Sequence, residues 1–486
     1  MKDLLVMKFG GTSMGSAERM RVAGGILSGE RGRRPVVAVV SAMSGVTDLL
    51  LDTLRHAEGG DEAGLESNLR KLRERHLETC RELLPAERQE AAIGGIQSLI
   101  ADFERIASGV RMLGERPPRS VDEAVAIGER LSALLMAAYL ETQGTPAVAV
   151  NAAVVVVTDA VFGSANPQMG PTKEKALKEL APRIAEGVLP VVTGFNGATA
   201  DGRPTTLGRG GSDFSASILA SVLDASELWI WTDVDGIMTA DPRLVPDAAV
   251  LDEVSYNEAA ELAYNGAKVL HPRTLAPLVE KQIPVWSKNS FHLSKPGTKI
   301  VPKIDAAWGP RAVTSLAKVV LISIEPASAE LNVTQLIARA LDALGRVNAE
   351  VLLLSSSSYR QSVCFLLRKE ELSTALAALE AGLALELAHG YLKPIEVDDS
   401  VGLLAVVGEG MRGTPGLAGR IFTAISRENV NIIAIAQGSS ELTIAIVVRR
   451  DGLEKAVRAV HTECRMGELA RGAGAAAGQT TGPAGG

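Results

Sequence analysis

Short, unbroken runs of apolar residues recur through the first 300 residues of this chain, and they constrain its fold more than any other feature. The runs "VVAVV" and "AAVVVV", for example, contain only Val and Ala. Strands that are covered on both faces have this pattern, and they occur in parallel sheets whose crossover connections are helices. Strands of this kind are predicted at 4–9, 35–41, 147–151, 189–193, 228–232 and 283–287.

Amphipathic stretches separate the predicted strands. The longest predicts a charged helical region at 62–113, and a further helix is predicted at 121–140. Strands that alternate with helices in this way indicate an α/β sandwich, here with an inserted helical lobe. The segment "HLSKPGTKI" at 292–300 marks its expected end.

A duplication follows this α/β unit. Residues 336–341 ("LIARAL") align with 417–422 ("LAGRIF"), and 362–367 ("SVCFLL") align with 443–448 ("TIAIVV"), both pairs at the same spacing of 81 residues. A constant spacing indicates two copies of one small domain with the order strand, helix, strand, strand, helix. The Gly/Ala-rich end of the chain is expected to be disordered. The expected domains are 1–300, 312–392 and 398–465, followed by a tail at 466–486.

The composition argues against several classes of protein. The formal net charge is −7 and aromatic residues make up 3% of the chain, which disfavours a nucleic-acid-binding protein. Cys80, Cys364 and Cys464 form no CxxC pair and no zinc spacing with the histidines, so we expect a reduced, cytoplasmic protein without a resident metal. No apolar run is long enough to cross a bilayer, and the first strand begins too close to Met1 for a signal peptide.

The first predicted strand ends in "KFGGTS", which places a lysine, two glycines and two hydroxyl residues at a strand-to-helix junction. Glycines at such a junction let backbone N–H groups approach an anion closely, and the positive end of the next helix attracts phosphate. Lys8 adds a point charge for bridging phosphate oxygens. The alternative is a tight turn with a solvated lysine, which the pattern alone does not exclude.

The segment "TTLGRGGSDFSASILA" at 205–220 is a second candidate anion site. Arg209 lies among three glycines, and Ser212 and Asp213 precede an apolar helix. A backbone nest beside a guanidinium suits a carboxylate or a phosphate. An ordinary helix cap would explain the Ser–Asp pair, but it explains neither Arg209 nor the glycines.

Three further motifs are weaker by themselves. In "SAMSGVTDLL", Ser41 and Thr47 either bind a small ligand or cap a helix. The aspartates of "WTDVDGIMTADPR" suggest either a metal site without EF-hand spacing or a polar loop. In "GAKVLHPRTL", Lys268 is a candidate for anion binding, whereas His271 fits a structural role better. Together the glycines and cations favour phosphoryl transfer, which depends mainly on positioning and charge neutralisation.

In this order, "KFGGTS", "SAMSGVTD", "GERLSA", "TLGRGGSDFSA", "TDVDGIMTADPR" and "GAKVLHPRTL" resemble the segments of aspartate kinases, members of the amino-acid kinase family. The resemblance extends to about residue 465 and is close to the kinase half of bifunctional aspartokinase–homoserine dehydrogenases. It implies a three-layer α/β sandwich kinase domain followed by two α+β, ferredoxin-like ACT domains. No dinucleotide-binding motif follows the second repeat, so a monofunctional enzyme is expected. The implied reaction converts ATP and L-aspartate to ADP and 4-phospho-L-aspartate, towards lysine, threonine and methionine.

The resemblance also implies roles for individual residues. Lys8 would stabilise charge on the transferring phosphoryl group, and Asp213 would orient the reacting groups and the waters of Mg²⁺. Arg209 would bind the α-carboxylate of aspartate and Glu129 its α-amino group. The full substrate set is Ser41, Thr47, Glu129, Arg209 and Ser212. The implied ATP set is Lys8, Gly10, Gly11, Thr12, Ser13, Thr232, Asp233, Met238, Arg243, Lys268 and Val269, which replaces the metal interpretation of Asp233.

Regulation by an amino-acid effector, threonine or lysine, is implied by the ACT pair. Asn431 and Gln437 of the second repeat would contact the effector. In the first repeat, the spacing of 81 places Ser356 at the position of Gln437, and the glycine-rich loop is missing. One effector site is therefore expected to be altered. Because ACT domains of this family pair between copies, a homo-oligomer is also expected.

Two alternatives remain at this point. The chain could be a non-catalytic amino-acid sensor, although a sensor would not need Lys8, Arg209 and Asp213. It could also phosphorylate another acid, such as glutamate or carbamate. Glu129 and Arg209 together fit an amino acid with a free α-carboxylate, which disfavours carbamate.

Overall fold

The computed structural model describes residues 3–267, 270, 272–304, 309–327, 332–357, 362–468 and 470. The chain forms two compact units. The first contains Met1–Ile237 and Leu270–Lys303, and the second contains Met238–Val269 and Ile304–Gly486. Most of the predicted tail at 466–486 lies outside the described residues.

The first unit is built on a mainly parallel sheet. Every residue of its first, second and fifth strands is buried, as predicted for strands with helices on both faces. The strands, numbered along the chain, are β1 (Leu5–Phe9), β2 (Val36–Val40), β3 (Ala147–Val150), β4 (Val157–Thr158), β5 (Leu189–Thr193), β6 (Asn196–Thr199), β7 (Pro204–Thr206), β8 (Glu227–Thr232), β10 (Val285–Asn289) and β11 (Thr298–Val301).

The order of the main sheet within this unit is β3–β5–β2–β1–β8–β10–β11. Neighbouring strands run parallel except β10 and β11, which are antiparallel. The chain moves to one side of β1 to form β2 and to the other side to form β8. In open α/β sheets, a crevice opens at the carboxyl ends of the strands where the order reverses in this way. The end of β1, which carries the first anion motif, lies at that point.

Helices cover this sheet and form the predicted lobe. They are α1 (Ala17–Arg31), α2 (Val46–Glu58), α3 (Glu62–Leu83), α4 (Ala86–Leu113), α5 (Pro118–Val125), α6 (Ile127–Thr142), α7 (Met169–Glu179), α8 (Ala181–Ala185), α9 (Gly211–Val222) and α11 (Pro272–Val279). One apolar core joins side chains of the main sheet to those of α1 through α6.

The helical regions differ from the prediction in their boundaries. The region 62–113 contains two helices, because Pro85 lacks the N–H group that a helix interior requires and instead stands before α4. The region 121–140 is also divided, since α5 and α6 meet at Ala126.

The second unit contains the duplicated domains and a segment that precedes them in the chain. Its strands are β9 (Glu253–Ser255), β12 (Ala312–Leu316), β13 (Val319–Ile324), β14 (Leu353–Ser356), β15 (Val363–Arg368), β16 (Glu396–Asp398), β17 (Val401–Val407), β18 (Ile432–Gln437) and β19 (Thr443–Arg449). Its helices are α10 (Tyr256–Tyr264), α12 (Val333–Arg346), α13 (Leu372–Gly382), α14 (Ala384–Ala388), α15 (Leu417–Arg427) and α16 (Leu453–Glu463).

The repeat spacing seen in the sequence is present in the fold. Helices α13 and α16 begin at Leu372 and Leu453, again 81 residues apart, and a short 3₁₀ turn precedes each of them. The two sheets have the orders β14–β15–β13–β16 and β12–β17–β19–β18. Each repeat is therefore an α+β unit with helices on one face of an antiparallel sheet.

One strand that was not predicted pairs with the second repeat. Ala312–Leu316, at the start of the expected first domain, pairs with β17 of the second repeat, in the register Ala312 to Val407. This strand covers the edge of β17 in an antiparallel pair, just as β16 covers the edge of β13 in the other sheet. The domain boundaries themselves stay a prediction.

Candidate functional site

The loop after β1 brings backbone and side-chain donors close together. Lys8 is only 8% exposed although it is charged. A Cβ atom on Gly10 would lie 3.2 Å from the Lys8 ammonium nitrogen, and one on Gly11 would lie 3.1 Å from the carbonyl oxygen of Ala42. A side chain at either position would make a tight contact, so the two glycines let this backbone pass close to its neighbours.

A cavity of about 690 Å³ opens at this end of the sheet. The loops after β1, β2 and β8 contribute to its wall, as the reversal of strand order in the main sheet predicts, and the loop after β7 of the small sheet β4–β6–β7 also contributes. Predicted residues that line it are Lys8, Gly10, Gly11, Thr12, Ser41, Thr47, Glu129, Arg209, Ser212, Asp213, Thr232 and Asp233. Motifs from separate parts of the first unit therefore form one site.

Lys8 and Asp213 form an ion pair inside this cavity. The Lys8 Nζ lies 2.5 Å from Asp213 Oδ1, and the two side chains are 11% and 20% exposed. Asp213 lies in the first turn of α9, where a carboxylate is favoured by the helix dipole. The pair holds the ammonium group in place at the mouth of the glycine loop.

Glu129 is a buried carboxyl group at the cavity wall. Burial raises its pKa to about 8, and a hydrogen bond from the backbone N–H of Ala42 only partly opposes this shift. Its second carboxyl oxygen, Oε2, is buried and has no hydrogen-bond partner. A buried carboxyl group in this state would be stabilised as an anion by a bound cation.

The loop between β7 and α9 presents Arg209 to the same cavity. Gly208 and Gly210 on either side have positive φ angles of 77° and 70°. Side chains at these positions would be strained, so glycines are required to turn the chain around an exposed arginine. The cavity thus contains a buried carboxyl group, a guanidinium and a lysine–aspartate pair.

Some predicted ATP-binding residues do not line this cavity. The Ser13 hydroxyl is buried and bonds to the Ser290 hydroxyl at 2.8 Å. Met238 and Arg243 belong to the second compact unit, where Arg243 pairs with Asp241 at 2.5 Å. Lys268, Val269 and the neighbouring His271 lie outside the described residues.

Several residues line the cavity without having been predicted. Asp48 directly follows the predicted Thr47, so the motif itself carried that signal. Phe195 has a φ of 70°, and its N–H donates to the Ser215 hydroxyl. A bulky residue with positive φ is uncommon and has no local sequence signal. The others are Ala42, Met43, Ser44 and Gly45, whereas Gly208, Gly210 and Gly211 belong to the backbone nest predicted around Arg209.

Two observations bear on membranes and metals. Among the residues that the structure describes, no helix is both long enough and apolar enough to span a bilayer. In the same part of the chain, no group of three or more histidine, cysteine and carboxylate side chains could hold a metal ion.

The predicted effector residues lie in the second repeat. Gln437 is the last residue of β18, and Asn431 directly precedes that strand; both are exposed. Ser356 is the last residue of β14 and is also exposed. The fold therefore places Ser356 and Gln437 at equivalent positions.

Comparisons with known proteins agree with this architecture. A profile of the amino acid kinase family matches residues 3–289, and an ACT-domain profile matches residues 404–464. Lysine-sensitive aspartokinase 3 of Escherichia coli is 32% identical over 468 residues, which cover 95% of this chain and 99% of that protein. The chain belongs to the aspartokinase family.

Other relatives of this aspartokinase-family chain are longer. Bifunctional aspartokinase/homoserine dehydrogenase 1, chloroplastic, from Arabidopsis thaliana is 35% identical over 465 residues, which cover 94% of this chain and 50% of that protein. The chain therefore spans about half the length of the bifunctional relatives that it matches.

Solved aspartokinase structures share its fold. The structure of E. coli aspartokinase III in complex with aspartate and ADP, in the R-state, has a TM-score of 0.80 at 32% identity. The complex of that enzyme with lysine and aspartate, in the T-state, has a TM-score of 0.76 at 31% identity. Both matches cover 95% of this chain and 99% of the other. The predicted family and fold class are confirmed.

Proposed function

We propose that this chain is an ATP-dependent aspartate kinase, which transfers the γ-phosphoryl group of ATP to the side-chain carboxylate of L-aspartate. One observation carries the proposal: the same cavity is lined by Glu129, whose Oε2 has no hydrogen-bond partner, by Arg209, and by the Lys8–Asp213 ion pair. Glu129 and Arg209 suit the α-ammonium and α-carboxylate groups of an amino acid, and the Lys8–Asp213 pair suits a transferring phosphoryl group.

Recognition of the amino acid would use opposite charges on the cavity wall. The α-ammonium group of aspartate would pair with Glu129, which loses its proton when that cation arrives. Arg209 would bind the α-carboxylate with two parallel hydrogen bonds, since a guanidinium matches that shape. The hydroxyl groups of Ser41, Thr47 and Ser212 would complete the hydrogen bonds of the bound aspartate.

The phosphoryl transfer needs no strong general base. The attacking carboxylate is already ionised at neutral pH, so one of its oxygens forms the new bond to the γ-phosphorus as the bond to the β–γ bridging oxygen breaks. ADP leaves with that bridging oxygen. The chief obstacle is repulsion between two anions. Lys8 and the N–H group of Gly11 would reduce it, whereas the N–H group of Gly10 donates to the Trp231 carbonyl oxygen at 3.3 Å.

Mg²⁺ would enter with ATP as part of the substrate, because kinases use such ions to bridge nucleotide phosphates. Asp213, which lines the cavity, would hold waters of the ion's hydration shell. The wider ATP set, with Ser13, Met238, Arg243, Lys268 and Val269, is supported by the family resemblance alone.

Regulation by an amino acid is a further part of the proposal. The E. coli relative is named for its sensitivity to lysine and has been solved with lysine bound. For this chain, threonine or lysine would act through the second repeat at Asn431 and Gln437, and the first repeat would be altered. A cytoplasmic homo-oligomer, joined through the ACT domains, completes the proposal.

The test is ATP-dependent formation of aspartyl hydroxamate with Mg²⁺ by the purified full chain. Parallel reactions contain glutamate in place of aspartate, or contain added threonine or lysine. Hydroxamate that appears with aspartate and much less with glutamate would support the proposal. Turnover of glutamate alone, or ligand binding without any turnover, would overturn it in favour of another acid substrate or a sensor.

A further inference from the structure

Asp122 is a buried aspartate that lies outside the cavity and has no role in the proposed chemistry. It is on α5 and is only 3% exposed. Its Oδ2 accepts hydrogen bonds from the backbone N–H groups of Gly163 and Thr206, both at 2.9 Å. Its Oδ1 accepts a third from the Thr206 hydroxyl at 2.7 Å. Burial raises the pKa of this carboxyl group, and the three hydrogen bonds only partly oppose that shift.

The segments that Asp122 joins meet beneath the arginine loop. Thr206 ends β7, and Gly208 and Arg209 follow after Leu207. A Cβ atom on Gly208 would lie 3.1 Å from the carbonyl oxygen of Gly163, so the Gly163 segment packs against the loop. Asp122 therefore fixes both the start of the loop and the backbone on which it rests.

Asp122 is also connected to Glu129, through the helices α5 and α6. Helix α5 leads through Ala126 into α6, which carries Glu129 near its start. In α5, Asp122 bonds to the strand that leads into the Arg209 loop; in α6, Glu129 provides the buried carboxyl group. A shift of Asp122 would change the spacing between the two groups that face an amino acid.

We propose that Asp122 is a positioning residue that sets the separation of Arg209 from Glu129, and thereby the selection of an α-amino acid. This inference rests on the proposed function, in which those two residues bind the α-carboxylate and the α-ammonium group. Asp122 itself contacts neither substrate. Its loss would weaken aspartate binding while leaving the nucleotide side of the cavity unchanged.

The arginine loop has a second anchor, so an Asp122 variant can be expected to fold. Arg273 donates to the Leu207 carbonyl oxygen at 3.4 Å and to the Ser164 hydroxyl at 3.2 Å. Its guanidinium also lies over the Phe214 ring, 5.1 Å from the centroid. These contacts do not involve Asp122.

The test compares Asp122→Asn with a matched control, Asp398→Asn. Asp398, in the second compact unit, likewise accepts from the backbone N–H and the hydroxyl of one residue, Ser400, at 2.9 and 2.6 Å. For Asp122→Asn we expect the KM for aspartate to rise about tenfold or more, since small misplacements of binding groups have effects of this size. The KM for ATP should stay within about twofold of wild type in both variants.

A second readout does not depend on the reaction. Hydrogen exchange of the backbone amides at 207–211 should become faster in Asp122→Asn and stay unchanged in Asp398→Asn. Unchanged exchange there, or equal rises in the two KM values, would overturn the inference. If the wild type does not phosphorylate aspartate, the proposed function fails, whereas the exchange data still decide whether Asp122 holds the loop.

A second variant, Thr206→Val, covers the case in which Asp122→Asn does not fold. It removes only the hydrogen bond from the Thr206 hydroxyl to Asp122, so it should show the same changes more weakly. Wild-type behaviour of Thr206→Val would contradict the role of Asp122.

Discussion

The ammonium nitrogen of Lys8 lies 2.5 Å from Oδ1 of Asp213, although the two residues are separated by most of the first compact unit in sequence. One comes from the end of β1 and the other from the first turn of α9. Their contact joins the two predicted anion motifs at the end of the sheet, and in the proposed function it would set where an incoming phosphoryl group is neutralised.

Lys8→Ala and Asp213→Ala should each abolish turnover without unfolding the protein. Removing the ammonium group leaves the developing charge without its main neutralising partner, a loss of at least about a hundredfold in kcat. Initial rates and thermal melts measure the two effects. The matched controls are Lys369→Ala and Asp399→Ala, which break an exposed pair of 2.8 Å in the second unit. Near-normal rates in either cavity variant would disprove the assigned roles.

Binding of aspartate should depend on pH through Glu129. Burial raises its pKa to about 8, so the carboxyl group is mainly protonated in the free protein at neutral pH. An ammonium ligand favours the ionised form, and binding should therefore release a proton. The affinity should rise with pH up to about 8 and then level off. Calorimetry in buffers of different ionisation enthalpy counts the released protons.

Glu129→Gln should weaken aspartate binding and remove this proton release. Glu123→Gln, on the exposed side of the neighbouring α5, is the matched control and should behave as wild type. Proton release that persists in Glu129→Gln would show that another group titrates.

Acid sensitivity of the fold should be traceable to His76. This residue of α3 is fully buried, and burial lowers its pKa to about 4 from the ordinary 6.5. The unfolded chain binds a proton at the higher pH, so stability is intact above 6.5 and is lost as pH falls towards 4. The loss attributable to this one group is about 3 kcal/mol at most.

His76→Leu should flatten the pH dependence of chemical unfolding between those limits. The control is His389→Leu, because both imidazoles bond through Nδ1 to the carbonyl oxygen four residues earlier, but His389 is exposed. An unchanged pH profile for His76→Leu would assign acid sensitivity to other groups.

Feedback control should depend on the second repeat rather than the first. Gln437→Ala should raise the concentration of threonine or lysine needed for half-inhibition by about tenfold, a usual size for such coupling. Ser356→Ala, at the equivalent position of the first repeat, serves as the control and should have little effect. Inhibition curves for the two variants decide the point, and the opposite order of effects would show that the first repeat is the sensor.

Local patterns were sufficient for the features that depend on neighbouring residues. Unbroken apolar runs predicted the parallel strands, and the glycines following Lys8 and flanking Arg209 predicted the loops that line the cavity. The break between α3 and α4 also has a local signal, Pro85, which the prediction of a single helical region did not use.

Features that arise from long-range packing were not accessible in this way. Nothing in the sequence around Glu129 shows that α6 will bury its carboxyl group beside Ala42, and its role was implied only by family resemblance. Asp122 looks like an ordinary helical aspartate until β7 docks against α5. The pairing of β12 with β17 likewise depends on which sheet edge is open after folding.

The central claim is that this cavity phosphorylates the side chain of aspartate. Carbon-13 NMR of the products formed from ATP, Mg²⁺ and aspartate labelled at both carboxyl carbons tests it most directly. The account predicts a new acyl-phosphate signal, split by phosphorus, from the side-chain carboxyl carbon and none from the α-carboxyl carbon. A phosphorus-coupled signal at the α-carboxyl carbon, or no acyl phosphate with ATP and aspartate both bound, would contradict it.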